Sequence, residues 1–177
     1  MTGATPPSQG VACLAILPLT KAAFAPYGTV IETAGAIEIP INQGTTTRYD
    51  ALAAADVSAE GGVASISVFR GTRRPDPIEI HLMERHPLGS QAFMPLQPHD
   101  WLVVVATGNA AGDAPDFSRL ICFRARGDQG VSYARGVWHH PLLVLVPEQD
   151  FLIVDRKGEG HNLDEVWHDG PAAVIQP

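Results

Sequence analysis

The stretch IEIHLMERHPLGSQAFMPL, residues 78–96, carries the strongest structural signal in this chain. Its apolar residues recur at every second position from Ile78 to Leu82, so they are predicted to share one face of a strand. The same alternation places Glu84 and His86 on that face. An inward row that ends in a carboxylate and an imidazole is costly unless the two groups pair or bind something. The stretch therefore predicts a strand that ends in a functional site, with a satisfied buried pair as the alternative.

A turn follows this strand, and Gln91 opens the next one. The three polar residues then have the spacing Glu84-x-His86-x4-Gln91. A carboxylate and an imidazole are the usual groups for acid–base work, and both can hold a metal ion. Glu84 and His86 are therefore catalytic candidates, while Gln91 either joins them or only braces the turn.

A second stretch, Asp128 to Leu145, supplies further candidates. Tyr133, Trp138 and His139 stand at the start of another apolar run. Tyr133 can hydrogen-bond a ligand or simply pack, and Trp138 can wall a pocket or belong to the core. His140 follows His139 and faces the opposite side by alternation, which favours a structural or interfacial role.

The rest of the chain predicts an all-β scaffold for these two stretches. About nine or ten short strands separated by turn signals are typical of a sandwich or barrel. The continuous apolar run Trp101–Thr107 predicts a strand buried on both faces. Thr20 is expected to cap a short helix over Lys21–Ala25. The chain after Gly158 is polar and is predicted to be loop-like, with Trp167 as its anchor.

Composition limits the function classes. A chain of 177 residues with 45% hydrophobic residues fits one folded domain, expected over residues 11–177, after a flexible tail at residues 1–10. The net charge of −7 argues against nucleic-acid or anionic-membrane partners. Cys13 and Cys122 are far apart and are expected to be reduced thiols of a cytoplasmic protein. Neither a secretory signal nor a membrane-spanning run is predicted.

The amino-acid sequences of both stretches resemble those of a known family. ERHPLGSQAFMPL (84–96) and GDQGVSYARGVWHHPLL (127–143) are similar to ureidoglycolate lyases, enzymes of allantoin breakdown in purine nitrogen catabolism. The stretches at 17–33, 41–44 and 151–156 and the Arg48-Tyr49 pair resemble the same family. These enzymes are cupins, whose first motif has the spacing His-x-His-x4-Glu and whose second motif ends in a further His. Here the substituted motif has Glu84, His86 and Gln91, and His139 stands in the second.

The resemblance implies a homodimeric cupin, a double-stranded β-helix or jelly-roll barrel with one or two short helices. It implies cleavage of (S)-ureidoglycolate to glyoxylate and urea, without an organic cofactor. It also implies a divalent ion such as Ni²⁺ or Mn²⁺, for which Glu84, His86, Gln91 and His139 would be the ligands. Without an ion, His86 or His139 would act directly as the base, since the imidazole pKa lies near working pH.

The carboxylate of such a substrate needs a cation, and the planar fork of an arginine suits it best. Ile66, Val68 and Arg70 share one face of a predicted strand, which would place Arg70 inward. A salt bridge from Arg70 to Glu84 is the alternative. Arg48 is the second candidate for the carboxylate.

Two further interpretations concern charged residues beside the site. Arg85 faces away from Glu84 by alternation and is predicted to be a surface residue, while Asp155 and Arg156 are adjacent and are expected to pair. The competing functions are another cupin reaction, such as that of an epimerase or metal oxygenase, and non-catalytic binding of a small acid.

Overall fold

A computed structural model describes residues 10–177, so most of the predicted N-terminal tail lies outside the described residues. These residues form strands joined by turns, with one short α-helix and three 3-10 turns among them. The elements are β1 Ala12–Cys13, β2 Ile16–Pro18, α1 Lys21–Phe24, β3 Gly28–Ile31, β4 Ile37–Ile41, β5 Thr46–Asp50, β6 Val63–Thr72, β7 Ile78–Ile80, β8 Leu82–Arg85, β9 Gln91–Pro95, β10 Trp101–Ala106, β11 Ile121–Ala125, β12 Gly130–Tyr133, β13 Trp138–His139, β14 Leu143–Val144, β15 Glu148–Lys157, β16 Asp164–Trp167 and β17 Ala173–Ile175. Over the described residues, no helix is long and apolar enough to cross a membrane.

The helix begins as its sequence predicts. Thr20 is extended, and its side-chain oxygen accepts a hydrogen bond from the backbone N–H of Ala23 at 3.2 Å. This bond satisfies one of the N–H groups that a helix start leaves without a partner inside the helix. Phe24 then packs into the core from the single turn that follows.

Two large sheets face each other around the main core. One sheet has the strand order β16-β8-β13-β10-β11-β2, with β14 also paired to β10, and the other has the order β3-β12-β9-β15-β6. Phe93 and Phe151 from the second sheet meet Trp101 and Phe123 from the first in one apolar cluster. Two antiparallel sheets closed around a shared core are the architecture of a jelly roll. The predicted all-β, cupin-like fold is confirmed.

A third, smaller sheet covers the outer side of the first. It has the order β1-β17-β7, and its buried Ile78, Ile80 and Ile175 share a second apolar cluster with Leu102 and Trp138. Strand β10 lies between the two clusters and is buried at every position. The continuous apolar run beginning at Trp101 therefore has the predicted environment.

The stretch at residues 78–86 is not the single strand that its alternation suggested. The chain leaves the third sheet after Ile80 and enters the first sheet at Leu82, with His81 between them. Ile78 and Ile80 pack in the second cluster, as does Met83, whereas Glu84 points the other way. The prediction that the apolar row and the polar site residues share one face was wrong, because the change of sheet shifts the alternation.

The prediction of a loop after Gly158 was also wrong. Strand β16 pairs with β8, and β17 lies between β1 and β7. Ala173 and Ile175 are buried in the second cluster. Trp167, the expected anchor, is 68% exposed. Each of these strands has only two or three apolar residues, which is too short a pattern to distinguish a strand from a loop.

Candidate active site

Glu84, His86 and His139 converge in the structure. Antiparallel pairing of β8 with β13 sets His139 opposite Glu84. The two strands are also joined at their ends, because the N–H of Gly136 donates to the carbonyl of His86 at 2.9 Å. Gly136 has a φ of 74°, in the left-handed region that favours glycine. One potential ligand atom from each of the three site residues lies within 4.8 Å of the others. The convergence expected from the two sequence stretches is therefore present.

Both imidazole rings are oriented by backbone carbonyls. Nδ1 of His139 donates to the carbonyl of Val137 at 2.9 Å, and Nδ1 of His86 donates to that of Asn162 at 2.8 Å. In each ring, Nε2 is then left to face the cluster. A carbonyl that fixes one ring nitrogen is the usual support of a metal-binding or catalytic histidine.

The Nε2 atom of His139 is the most informative atom of the cluster. It is buried without a hydrogen-bond partner among residues 10–177, and it lies 3.5 Å from Oε1 of Glu84. A buried polar atom without a partner is costly and calls for a ligand or a functional explanation. This atom is therefore available to a proton or to a metal ion.

Gln91 and Tyr133 complete the surroundings of the two rings. Oε1 of Gln91 lies 3.2 Å from Nε2 of His86. The ring of Tyr133 stacks on that of His139, with centroids 4.0 Å apart and planes inclined by 11°. Tyr133 and Gln91 are directly paired between β12 and β9, so one position in the sheet supplies both contacts.

The charges of the cluster follow from its burial and its contacts. Burial raises the pKa of Glu84, but the close contact with His139, helped by His86 and His140, brings it below its ordinary value. Glu84 is therefore a carboxylate at neutral pH. Burial, together with the negative charge of Glu84, holds the pKa of Tyr133 far above its ordinary value, so its hydroxyl stays neutral.

Asn162 contacts the candidate site, a position that the sequence analysis did not predict. Besides accepting from His86, it accepts a hydrogen bond at its Oδ1 from the N–H of Leu88 at 2.8 Å. It lies just before β16, the strand that pairs with β8. A lone Asn in a polar stretch gives no signal for this role.

A cavity of about 620 Å³ opens beside the cluster. Glu84 is the cluster residue in its wall. Apolar side chains and arginines form the rest, including Phe69, Phe93, Leu142, Arg70 and Arg74. The arrangement gives a small ligand an open cavity whose wall combines apolar side chains with a carboxylate and two cations.

Comparison with known proteins decides the family. The family model for ureidoglycolate lyase matches residues 11–175. The chain belongs to the ureidoglycolate lyase family. A ureidoglycolate lyase of Burkholderia mallei is 55% identical over 152 residues, covering 86% of this chain and 87% of the relative. That of Azotobacter vinelandii is 51% identical over 152 residues, covering 86% of this chain and 90% of the relative. That of Rhizobium etli is 48% identical over 164 residues, covering 93% of this chain and 96% of the relative.

Within this ureidoglycolate lyase fold, the predicted inward position of Arg70 was wrong. Ile66, Val68 and Arg70 do share a face, but that face is exposed, with Ile66 at 73% and Val68 at 58%. The Arg70 guanidinium binds both carboxylate oxygens of Asp150, at 2.7 and 2.9 Å, and not Glu84. Alternation shows which residues share a face of β6 but cannot show which face is buried.

Arg48 lies away from the cluster. It belongs to the β4–β5 hairpin and pairs with Asp50 at 2.6 Å. It lines a different groove, together with Leu52 and Val154, so neither arginine chosen from the sequence has the expected surroundings.

Trp138 belongs to the core, because it points to the face opposite His139 and is buried in the second cluster. The guanidinium of Arg85 lies 4.5 Å from the centre of its ring and pairs with Asp164 at 2.7 Å. Arg85 takes no part in the cluster, and its partly exposed side chain is held in an ion pair with Asp164 of the neighbouring strand β16. The indole Nε1 of Trp138 has no hydrogen-bond partner among the described residues.

His140 is buried, as a structural role requires. Its Nδ1 donates to the carbonyl of Pro141, and burial lowers its pKa to about 4 against the opposing effect of that bond. The expected pair between Asp155 and Arg156 is absent over residues 10–177. Arg156 is buried and donates to backbone carbonyls, including that of Glu159, because neighbours along a strand point to opposite faces.

Proposed function

We propose that this chain cleaves (S)-ureidoglycolate to glyoxylate and urea. Membership of the ureidoglycolate lyase family and the names of its relatives support this activity. The structural observation behind it is the partnerless Nε2 of His139, buried beside the carboxylate of Glu84 at the edge of a cavity. The site thus combines a proton acceptor, an anion that stabilises it once protonated, and room for a small acid.

The reaction requires two proton movements and no water. The carbinol hydroxyl loses its proton, its C–O bond becomes a carbonyl, and the neighbouring C–N bond breaks with its electron pair passing to nitrogen. That nitrogen then takes a proton and leaves as urea. A group that gains the first proton can deliver the second, which suits an imidazole.

The contacts of His139 support a role for it in this exchange. Its Nδ1–H is committed to the Val137 carbonyl, so the neutral ring has its lone pair on Nε2. After Nε2 accepts the hydroxyl proton, the Glu84 carboxylate at 3.5 Å stabilises the imidazolium. The stacked ring of Tyr133 and the carbonyl of Val137 prevent the imidazole from turning away.

The same residues suit a divalent ion. Glu84, His86 and His139 can each offer one ligand atom, and Gln91 adds an amide oxygen beside His86. Two imidazoles suit a transition-metal ion such as Ni²⁺, and the carboxylate and amide oxygens also suit Mn²⁺. Such an ion would lower the pKa of the substrate hydroxyl and hold the developing oxyanion.

Chelation separates the use of His139 as a direct base from its use as a ligand. If an ion supports activity, EDTA treatment should abolish glyoxylate release, and Ni²⁺ or Mn²⁺ should restore it. The ion should also raise the unfolding temperature of the apoprotein, but not that of His86→Ala, since it stabilises only a fold that binds it. Full activity after EDTA would leave His139 as the direct base.

The activity itself is tested by supplying purified protein with ureidoglycolate. The expected result is glyoxylate and urea in equal amounts. Ammonia formed in proportion to glyoxylate would mean hydrolysis of the ureido group and would overturn the proposal. Binding without turnover would favour the small-acid-binding function, and inversion or oxidation of the substrate would favour an epimerase or oxygenase.

We also propose that the chain forms a homodimer through the outer face of β6. This ten-residue strand lies at the edge of its sheet and exposes Ile66 and Val68. A long apolar edge strand is a liability for a monomer unless something covers it. A second copy is the simplest cover, and the same face continues into the wall of the cavity through Val68 and Arg70.

The proposed location is the cytoplasm. Cys13 is an exposed free thiol and Cys122 a buried one. Reduced, unpaired cysteines are usual where the thiol pool is kept reduced. Cell fractionation with detection of this protein tests the location, and recovery outside the cytoplasmic fraction would contradict it.

A further inference from the structure

The ten arginines of this chain differ in what they contact. Eight form salt bridges with carboxylates: Arg48, Arg70, Arg73, Arg85, Arg119, Arg124, Arg126 and Arg135. Arg156 is buried and donates to backbone carbonyls. Arg74 alone has neither a salt bridge nor a side-chain hydrogen bond within residues 10–177.

Arg74 is also in the wall of the cavity that Glu84 borders. The Arg74 side chain is exposed, so its guanidinium is free to meet a ligand in that cavity. A cation and the Glu84 carboxylate therefore line one open cavity.

The backbone that carries Arg74 is held in place. The N–H of Arg73 donates to the carbonyl of Pro147 at 3.0 Å, and its guanidinium contacts the carbonyl of Leu145 and the carboxylate of Asp76. Pro75 follows and restricts the backbone of Arg74 to extended conformations. The side chain of Arg73 is therefore bound to its neighbours, whereas that of Arg74 lies in the cavity wall.

We propose that Arg74 binds the carboxylate of the substrate. This inference rests on the proposed lyase function and names the residue that selects an acid for the site. The fork of a guanidinium can bind both oxygens of a carboxylate, and such charge-assisted pairs are stronger than neutral hydrogen bonds. Arg70 lines the same cavity, but Asp150 already neutralises it.

Two small substrate analogues, one charged and one neutral, provide the test. Glycolate has the carboxylate and hydroxyl of the substrate, and glycolamide replaces that carboxylate by a neutral amide. The wild-type enzyme should bind glycolate more tightly, and Arg74→Ala should weaken glycolate binding about tenfold or more while leaving glycolamide unchanged. Arg74→Lys should retain an intermediate preference, since it keeps the charge without the fork.

Arg70→Ala is the matched comparison from the same cavity wall. It should keep the preference of the wild type for glycolate. The inference is overturned if Arg74→Ala keeps that preference, if it weakens the binding of both analogues equally, or if Arg70→Ala is the variant that loses it. Equal yields of glyoxylate and urea from the wild type are checked first, so that failure of the lyase function is seen separately.

Discussion

Nδ1 of His86 donates a hydrogen bond to the backbone carbonyl of Asn162, 2.8 Å away and 76 residues later in the chain. The side chain of the same Asn162 accepts from the N–H of Leu88, two residues after His86. One residue of the C-terminal segment therefore fixes both the ring and the turn beside it. The segment acts as a support for the site and not as a polar tail.

Replacing Asn162 should disturb His86 more than it disturbs the fold. Asn162→Ala removes the acceptor for the Leu88 N–H, which should cost about 1–3 kcal/mol of unfolding free energy. We expect kcat to fall about tenfold because the carbonyl that orients His86 loses its anchor. Urea unfolding and steady-state kinetics measure the two effects. Glu159→Ala, in the same segment, should change neither, and normal kcat in Asn162→Ala would contradict the supporting role.

The pairing of Asp164 with Arg85 should make the fold sensitive to acid. The hydrogen bond from Arg85, followed by that from His161, holds the pKa of Asp164 below its ordinary value. The unfolded chain then binds a proton more readily than the folded one, so this contribution is complete above the unfolded pKa of about 3.9 and is lost as pH falls through the folded pKa. Asp164→Asn should therefore lose less stability than the wild type between pH 6 and pH 3 in urea unfolding.

Glu165→Gln is the matched control for that experiment. Glu165 is an exposed neighbour of Asp164 on β16. Its variant should follow the wild-type profile. Parallel profiles for Asp164→Asn and the wild type would mean that the pair adds nothing to acid stability.

The ring of Tyr133, and not its hydroxyl, should matter for the position of His139. The two rings are stacked, and the tyrosine hydroxyl stays neutral at working pH. Tyr133→Phe should keep most activity, whereas Tyr133→Leu should lower kcat about tenfold, because an aromatic pair contributes about 0.5–1.5 kcal/mol beyond its buried area. Steady-state kinetics distinguish the two. A larger loss in Tyr133→Phe would instead give the hydroxyl a direct part in substrate binding.

The outer face of β6 should control the oligomeric state. Ile66→Lys places a charge in the middle of the proposed dimer face and should give a monomer by light scattering after gel filtration. Leu17→Lys alters an exposed apolar residue on β2 and should leave the dimer intact. A monomeric wild type, or a dimeric Ile66→Lys variant, would place the contact elsewhere or remove it.

Much of the fold could be predicted because its strongest signals are local. The apolar run at Trp101 and the Thr20 cap were both recognised from residue patterns. The predictions that failed depend on which sheet a segment joins. Residues 78–86 change sheets at His81, and nothing in the alternation marks that change.

The site shows the same limit. Glu84, His86 and His139 could be found from spacing and family resemblance, because each lies in a recognisable motif. The choice of arginine failed, because a carboxylate partner such as Asp150 is distant in sequence and adjacent only in the folded sheet. Asn162 could not be found for the same reason.

The most direct test of the account is the rate at which His139→Ala forms glyoxylate and urea from ureidoglycolate. Loss of a positioned acid–base group typically costs about 10²–10⁴ in rate, and loss of a metal ligand is also severe, so both uses of His139 predict a fall of about a hundredfold or more. The exposed His99 has no place in the site, and His99→Ala should retain the wild-type rate. A folded His139→Ala protein that turns over ureidoglycolate at the wild-type rate would contradict the assignment of this cluster as the active site.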